Sequence, residues 1–327
     1  MTEKKSIFSK ILGVLPILIG VIMAIFQVIE WTEEKGYYGS NDNNQNDDYV
    51  VDDVYAEEHL NASDYRGAYY YALNSEEQLA YEEILYALSD LESSATITDA
   101  DYSLYDKEDL KRIVHAVQYE HPEFFWCNFG WSCKKNVSKG SFTISFYVYK
   151  YWQYSTEKEE MVNELNEKVD EIAAAANTYA TDYEKIKYVH DYLIKTVYYD
   201  HTAAENNDNP RTMSEQSEQS TGAYGPLING AAICCGYAEA FQLVMHRLGI
   251  ECDSVKGYAT DWHAWNAVVI DGDRYMLDVT WDDMGDYCDD AENSVRYKYF
   301  LLTTDEISET HTVFDEYPYP ECTGTKY

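Results

Sequence analysis

The sequence predicts an α+β fold: a helix that begins at a cysteine and packs on an antiparallel hairpin, with a smaller α/β module ahead of it. Three observations carry this. After A-I-C-C-G, residues Ala238, Phe241, Val244, Met245 and Leu248 recur at three- and four-residue spacing, and Gly249 marks the stop. The runs H-A-W-N-A-V-V-I and R-Y-M-L-D-V-T-W, joined by D-G-D, read as two strands around a tight Asp271-Gly272 turn. Upstream, S-F-T-I-S-F-Y-V-Y (Ser141 to Tyr149) alternates and is β-branched or aromatic, as a strand requires.

The 327 residues suffice for two modest domains, and 46% apolar residues can build a core. Fifty-nine acidic residues against 24 basic ones give a net charge of −35. Phosphate binding needs a basic footprint, so no nucleic-acid partner is expected. The 33 tyrosines offer amphipathic contact area suited to a glycan or peptide, or reflect a compositional bias.

Lys4, Lys5 and Lys10 precede Ile11 to Ile29, an apolar run with Gln27 as its one clearly polar side chain. At ~1.5 Å per residue, the run can cross a hydrocarbon core of about 30 Å. The lysines favour the cytosolic side, which puts the rest of the chain outside. The expectation is a single-pass signal anchor in the cell membrane. A cleaved signal peptide, which would make the chain secreted, competes with it, although A-I-F-Q-V-I-E-W lacks a small-x-small cleavage pair. Pro16 need not prevent spanning. From Gly36 to Tyr65 there are eight acidic residues and no lysine or arginine, which predicts a disordered stalk.

The chain thus divides into a cytoplasmic tail (1–10), a transmembrane anchor (11–29), an acidic linker (30–65), an N-terminal α/β module (66–155) and a catalytic domain (156–327). Order should start near Arg66. Ser75 opens S-E-E-Q, a capping-box signature, and Leu79, Ile84, Leu85 and Leu88 follow at helical spacing. A second helix is expected from Lys107 to Gln118. His115 and His121 are isolated and take core or surface roles by default. Helices are also expected over Thr156–Asn177 and Asp182–Val197, the latter with Ile186, Val189, Leu193 and Val197 on one face. His201 to Thr221 is a long polar stretch just before the cysteine, either a lid over the site or a flexible insertion.

Seven cysteines in an exported chain suggest disulfides, with Cys127, Cys133, Cys252, Cys288 and Cys322 as candidates. Cys127 and Cys133 flank C-N-F-G-W-S-C, a plausible strand–turn–strand bridge. No CxxC pair or HExxH motif is present, so neither a metal site nor a cofactor is expected. An odd count leaves at least one thiol free.

The reactive residues lie in one compact stretch: Cys234, doubled by Cys235, then His263, then Asp278. A sulfur nucleophile, an imidazole base and an orienting carboxylate are what thiol acyl transfer needs. Asn229-Gly230 turns the chain into the helix, so Cys234 sits at its N-terminus, where unpaired N–H groups favour a thiolate and can donate to an oxyanion. A two-residue turn pairs Ile270 with Asp273. Extrapolated, that register sets His263 opposite Thr280 and makes Asp278 its diagonal neighbour on the same face, roughly 7–8 Å away at the backbone.

The strings N-G-A-A-I-C-C-G-Y-A-E-A-F, H-A-W-N-A-V-V-I-D-G and Y-M-L-D-V-T-W-D resemble the transglutaminase-like superfamily, most closely from about Tyr183 to Asp283. The resemblance implies a papain-like core, a cysteine-bearing helix on an antiparallel sheet that carries histidine and aspartate. It also resembles exported, membrane-anchored bacterial members in its upstream module and anchor. The family's nucleophile lies two residues before the G-Y pair and maps to Cys234. Cys235 stands where cysteine is unusual and is the alternative nucleophile. Tyr224 is a candidate for the oxyanion hole. Trp265, with Trp262 and Trp281, is either a site wall or core. The acidic run from Trp281 to Asp290 could hold calcium, a dependence of animal transglutaminases, or form a solvated turn.

The resemblance implies an extracytoplasmic thiol enzyme, either a cysteine peptidase or a transamidase, acting on protein or peptide amides, with cell-wall components as a further candidate partner. The competing expectation is a non-catalytic surface module that binds protein or peptidoglycan through the same fold.

Overall fold

The computed structural model describes residues 64–98, 105–136, 139–149, 152, 158–206, 213–285 and 294–327. Among these no helix is long and apolar enough to cross a membrane. The tail, the anchor expected over 11–29 and nearly all of the linker lie outside the described residues.

The first part builds α1 (Ala68–Tyr71), α2 (Ser75–Ser89), β1 (Ser94–Ile97), α3 (Lys107–Glu120), β2 (Cys127–Asn136) and β3 (Ser141–Val148). The strands form an antiparallel sheet in the order β1-β3-β2. The capping box of α2 sits one residue earlier than the sequence motif suggests. Asn74 accepts from the Glu76 and Glu77 amides, and the Glu77 carboxylate accepts from the Asn74 amide. Asp106 and Asp109 do the same for α3. Asn and Asp reach the orphan N–H groups as well as serine does, so the frame follows whichever residue leaves the extended conformation last.

The expected Cys127–Cys133 bridge does not form. Both residues lie on one strand, β2, with a bulge between Cys127 and Trp131 rather than a turn. An extended chain rises ~3.3 Å per residue, so six residues put the sulfurs far beyond bonding distance. Cys252 and Cys322 are also free, and Cys288 lies outside the described residues. Burial pushes the Cys127 and Cys322 thiols up to about 12, which leaves them unreactive.

The second part contains α4 (Lys158–Ala176), α5 (Asp182–Thr196), β4 (Tyr198–Tyr199), α6 (His201–Asn206), α7 (Glu215–Gln219), a π-turn at Gly225–Asn229, β5 (Ala231–Ala232) and α8 (Cys234–Arg247). It continues through β6 (Cys252–Tyr258), β7 (Trp262–Ile270), β8 (Asp273–Leu277), α9 (Val279–Asp282), α10 (Thr304–Ile307) and β9 (Thr312–Val313). The main sheet is antiparallel, ordered β8-β7-β6-β9. The polar stretch from His201 is largely helical where described. It is pinned by Asp200, whose carboxylate accepts from the Ala203 amide at 2.9 Å and the Ser220 hydroxyl at 2.8 Å.

The hairpin register is the expected one, with Ile270 opposite Asp273 and Asn266 opposite Leu277. Asp271 and Gly272 both adopt positive φ, 53° and 88°, as a tight primed turn demands. One apolar core runs through both parts, joining Leu85, Val114 and Trp126 to Leu193, Phe241 and Val268. One buried carboxylate reinforces the joint, and a second braces the first part. Asp253 on β6 accepts from the Tyr65 hydroxyl at 2.7 Å, the Tyr319 hydroxyl at 2.8 Å and the Ala68 amide at 3.1 Å. Glu120 accepts from the Tyr81 hydroxyl at 2.6 Å and the Tyr70 amide at 2.8 Å. Tyr65, assigned to the disordered linker from sequence, is therefore ordered, and its ring stacks on His246 at 3.7 Å.

Gly257 on β6 faces His263 across the ladder, and a Cβ there would lie 2.1 Å from the Thr312 carbonyl and 2.6 Å from the Trp265 ring. Gly257→Ala should cost about 1–3 kcal/mol through overpacking, measured as a lower urea midpoint at unchanged m-value.

Candidate active site

Cys234 is the first residue of α8, and its N-cap, Ile233, supplies no side-chain cap. The first-turn N–H groups of this helix therefore lack the usual side-chain acceptor, and the helix dipole favours negative charge there. Gly236 lets the turn approach the preceding segment closely, since a Cβ would meet the Ser220 carbonyl at 2.5 Å. The side chain of Cys234 is buried with Ala203, Met213, Ile233 and Ala264.

The Cys235 thiol, the His263 ring and the Ala264 amide all favour the ionised form of the Cys234 sulfur. The Cys235 contact is the largest influence and the imidazole the next favourable one, and together they hold the Cys234 thiol well below the ordinary 9.0 despite burial. The same contact, with burial and the neighbouring charge, pushes Cys235 well above 9.0. Negative charge is thus favoured at Cys234 over Cys235.

His263 stands at the start of β7. Its Nε2 lies 2.8 Å from Oδ2 of Asp278, which leaves Nδ1 for the sulfur. Burial alone would lower the imidazole. The Asp278 carboxylate and the Cys234 sulfur instead raise it from 6.5 to about 10. Asp278 is fully buried, which opposes ionisation, yet His263 first and then His311 hold it well below 3.8. The extrapolated diagonal pairing needs one correction. The β7–β8 ladder ends at Asn266–Leu277, and Asp278 leaves the strand to cap α9, with Oδ1 accepting from the Trp281 amide at 3.1 Å. The cap turns Oδ2 back onto His263.

Tyr224 is not part of this cluster. Its hydroxyl donates to Glu164 at 2.5 Å and its ring stacks on Phe125 at 5.0 Å, beside a separate cleft formed with α4. The π-turn that follows it directs the side chain there. Trp265 does reach the site, stacking behind His263 with ring centres 6.1 Å apart. Its indole N–H points to Met276 sulfur at 3.5 Å and it is buried with Val255, Ala267 and Met276, so it is core packed behind the histidine and not an oxyanion donor. Trp281 lies 5.7 Å from the His263 ring. Of the acidic run, Asp282 accepts from the Lys298 and Tyr299 amides at 2.8 and 3.0 Å, and Asp283 accepts from the Tyr237 hydroxyl at 2.8 Å.

Sequence reasoning missed His311. Its Nε2 lies 3.0 Å from the same Asp278 oxygen that holds His263, and its side chain is completely buried. The ligand atoms of His263, Asp278 and His311 fall within 4.8 Å of one another, a spacing that could also suit a metal ion. No motif marks a lone T-H-T in a C-terminal segment.

A cavity of about 760 Å³ opens between the two parts, walled by aromatic residues that include Phe125, Trp131, Tyr149 and Trp262. Cys235 and Glu239, one turn apart on α8, reach it. Both lysines of its wall are paired, Lys111 with Glu316 at 3.0 Å and Lys256 with Glu239 at 3.7 Å, and Asp261 also lines it.

Residues 169–277 match the transglutaminase-like superfamily, a stretch that includes Cys234 and His263 and stops one residue before Asp278. Human kyphoscoliosis peptidase is 27% identical over 130 residues, covering 36% of this chain and 18% of that protein. The match thus spans less than a fifth of that relative's length. The crystal structure of a TGase aligns at 15% identity over 46% of this chain and 44% of its own, with a TM-score of 0.34. A candidate cysteine protease from Cytophaga hutchinsonii aligns at 13% identity over 56% of this chain and 70% of its own, with a TM-score of 0.30.

The shifts fix the sign of the pH dependence. His263 is raised, so its stabilising contribution is complete below 6.5 and is lost as pH climbs through about 10. Asp278 is lowered, so its contribution is complete above 3.8 and is lost as pH falls through its folded value. The two contributions coexist in full between 3.8 and 6.5. Asp278→Asn should cost about 3–5 kcal/mol in that window, read from denaturant melts across pH. Iodoacetamide should alkylate Cys234 rapidly well below pH 9.0, and His263→Ala should move the midpoint of that reaction upward.

Proposed function

We propose that this transglutaminase-like chain is a thiol acyltransferase or peptidase that acts on protein or peptide amides through Cys234, His263 and Asp278. The observation that carries the reading is the buried His263 ring, held by Asp278 at 2.8 Å, which favours the ionised form of the Cys234 sulfur. A structural cysteine buried among apolar groups has its thiol pushed up, as Cys127 does, whereas Cys234 is pulled down.

In this reading the Cys234 thiolate attacks the amide carbonyl carbon. First-turn N–H groups of α8 receive the developing oxyanion. As the tetrahedral intermediate collapses, the C–N bond breaks and the departing amine takes the proton held on His263. A thioester remains. His263, now neutral, draws a proton from an incoming amine or water, which attacks the thioester and releases the sulfur. Asp278 keeps the imidazole oriented and offsets its positive charge throughout. The aromatic cavity beside Cys235 is assigned to the acyl donor. Both of its lysines are already paired, which favours neutral side chains over anionic ones.

We also propose that residues 11–29 anchor the chain and that everything after them lies outside the cytosol. The support is the three lysines ahead of an apolar run that holds no charged residue.

The test uses the full-length chain in detergent with Cys234→Ala, Cys235→Ala and His263→Ala variants. Labelled-amine incorporation and peptide release are followed in parallel. Cys234→Ala and His263→Ala should each lower acyl transfer by at least about 10³-fold, and Cys235→Ala should leave measurable turnover. Loss of activity confined to Cys235→Ala would make Cys235 the nucleophile. No acyl transfer together with an ordinary, slow Cys234 thiol in the wild type would leave a binding module as the reading.

A further inference from the structure

Asp278 is gripped from two sides, and the proposed reaction accounts for only one of them. His311 follows α10, in the segment that leads into β9, and is distant in sequence from every motif residue. Its Nε2 lies 3.0 Å from Oδ2 of Asp278 and its Nδ1 lies 2.8 Å from the Thr310 hydroxyl. The proton positions follow. An ionised carboxylate only accepts, so His311 donates from Nε2, and in its neutral form Nδ1 accepts from the Thr310 hydroxyl. Both ring nitrogens are then satisfied in a single tautomer.

The surroundings hold this ring still. Trp281 and Trp265 lie 4.7 and 5.0 Å from it, Tyr299 lies 5.4 Å away and the His263 ring 5.5 Å. The titratable groups facing it are Asp278 from the α9 cap, His263 from β7 and Tyr299, whose hydroxyl is itself contacted by the Lys298 ammonium at 3.0 Å. A second donor on the oxygen that holds the catalytic imidazole does two things. It stops the carboxylate from rotating away between its cap and His263, and it disfavours protonation of the carboxylate.

We propose that His311 is a positioning residue that donates to Asp278, so that the site works as a Cys234–His263–Asp278–His311 relay of contacts and not as a triad. The proposal rests on the thiol-enzyme reading above, and the lowered Asp278 is consistent with it, since His311 is among the groups that hold the carboxylate down. His311 is buried and its side-chain polar contacts are Asp278 and Thr310, so it acts through Asp278.

The experiment compares His311→Phe, which keeps the aromatic bulk and removes the donor, with His311→Gln, whose amide can restore a donor near Nε2. Thr310→Val is a milder variant that leaves the ring and removes its tautomer partner. Three readouts are taken on the full-length chain: kcat and KM for acyl transfer, the acid limb of Cys234 alkylation, and the His263 ring N–H resonance in ¹⁵N-histidine spectra. His311→Phe should lower kcat about 10-fold with KM unchanged. It should move the acid limb upward by about one pH unit and shift the His263 resonance. His311→Gln should restore all three substantially, and Thr310→Val should shift them weakly in the same direction as His311→Phe. A merely structural histidine would lower thermal stability in both His311 variants and leave the limb and the resonance in place, which would overturn the proposal. Should the wild-type thiol prove inert while the resonance still moves, the enzyme reading fails and the His311–Asp278 coupling stands. Should the thiol prove activated with the limb and resonance unmoved in His311→Phe, the coupling alone fails.

Discussion

The arrangement of the reactive groups depends on one buried anion. Asp278 has no exposure to water, and an isolated carboxylate in that position would be too costly to keep charged. Its two oxygens are therefore fully committed. Oδ1 caps α9 through the Trp281 amide, and Oδ2 accepts from both His263 and His311. The cap matters as much as the charge, because it turns the side chain out of the β8 line and onto β7. His263, held in turn, presents its free nitrogen to the sulfur at the start of α8. The backbone of Asp278 is fixed independently, its amide donating to the Tyr299 carbonyl at 2.9 Å. Local structure, packing and site chemistry thus meet at one residue whose burial is affordable only while all its partners remain.

What could be read from sequence follows from which forces act locally. The β7–β8 register was legible because a two-residue turn with Asp-Gly leaves a single pairing, and the strand period then fixes which side chains share a face. The cysteine helix was legible from apolar spacing and its glycine stop. The extrapolation past Asn266 failed because a helix cap competes with the ladder for the Asp278 backbone, and a single aspartate does not announce which will win. Tyr224 was misassigned for a related reason. Proximity in sequence to the nucleophile says little about direction when a π-turn intervenes. His311 was illegible altogether, since it is brought in by tertiary packing of a short C-terminal segment. The cysteine pattern misled because spacing shows nothing about whether the intervening residues turn or extend.

The cavity adds a second constraint on the chemistry. Cys235, and not Cys234, is among the residues that reach it, while Cys234 is covered by Ala203 and Met213. Adjacent residues on a helix project about 100° apart, so two neighbouring thiols necessarily face different surroundings. Their different proton affinities follow from this. Cys234 faces the imidazole and a backbone amide, whereas Cys235 faces the sulfur and the cavity. A substrate lying along the aromatic wall would meet Cys235 first, and its carbonyl would have to pass toward the α8 N-terminus to meet the thiolate.

Glu239 links that wall to the sulfur electrostatically. Burial is the main cause that raises it to about 7, Lys256 opposes the rise, and negative charge on Cys234 adds to it. Ionisation of the sulfur and of Glu239 therefore oppose each other across a single helical turn, with Lys256 as the only cation within ion-pair distance of Glu239 among the described residues. A chain of net charge −35 does not help, because distant surface charge is screened within about 8–10 Å while this trio is buried. The local balance decides. Lys256 is therefore what keeps the Glu239 carboxylate from opposing charge on the sulfur.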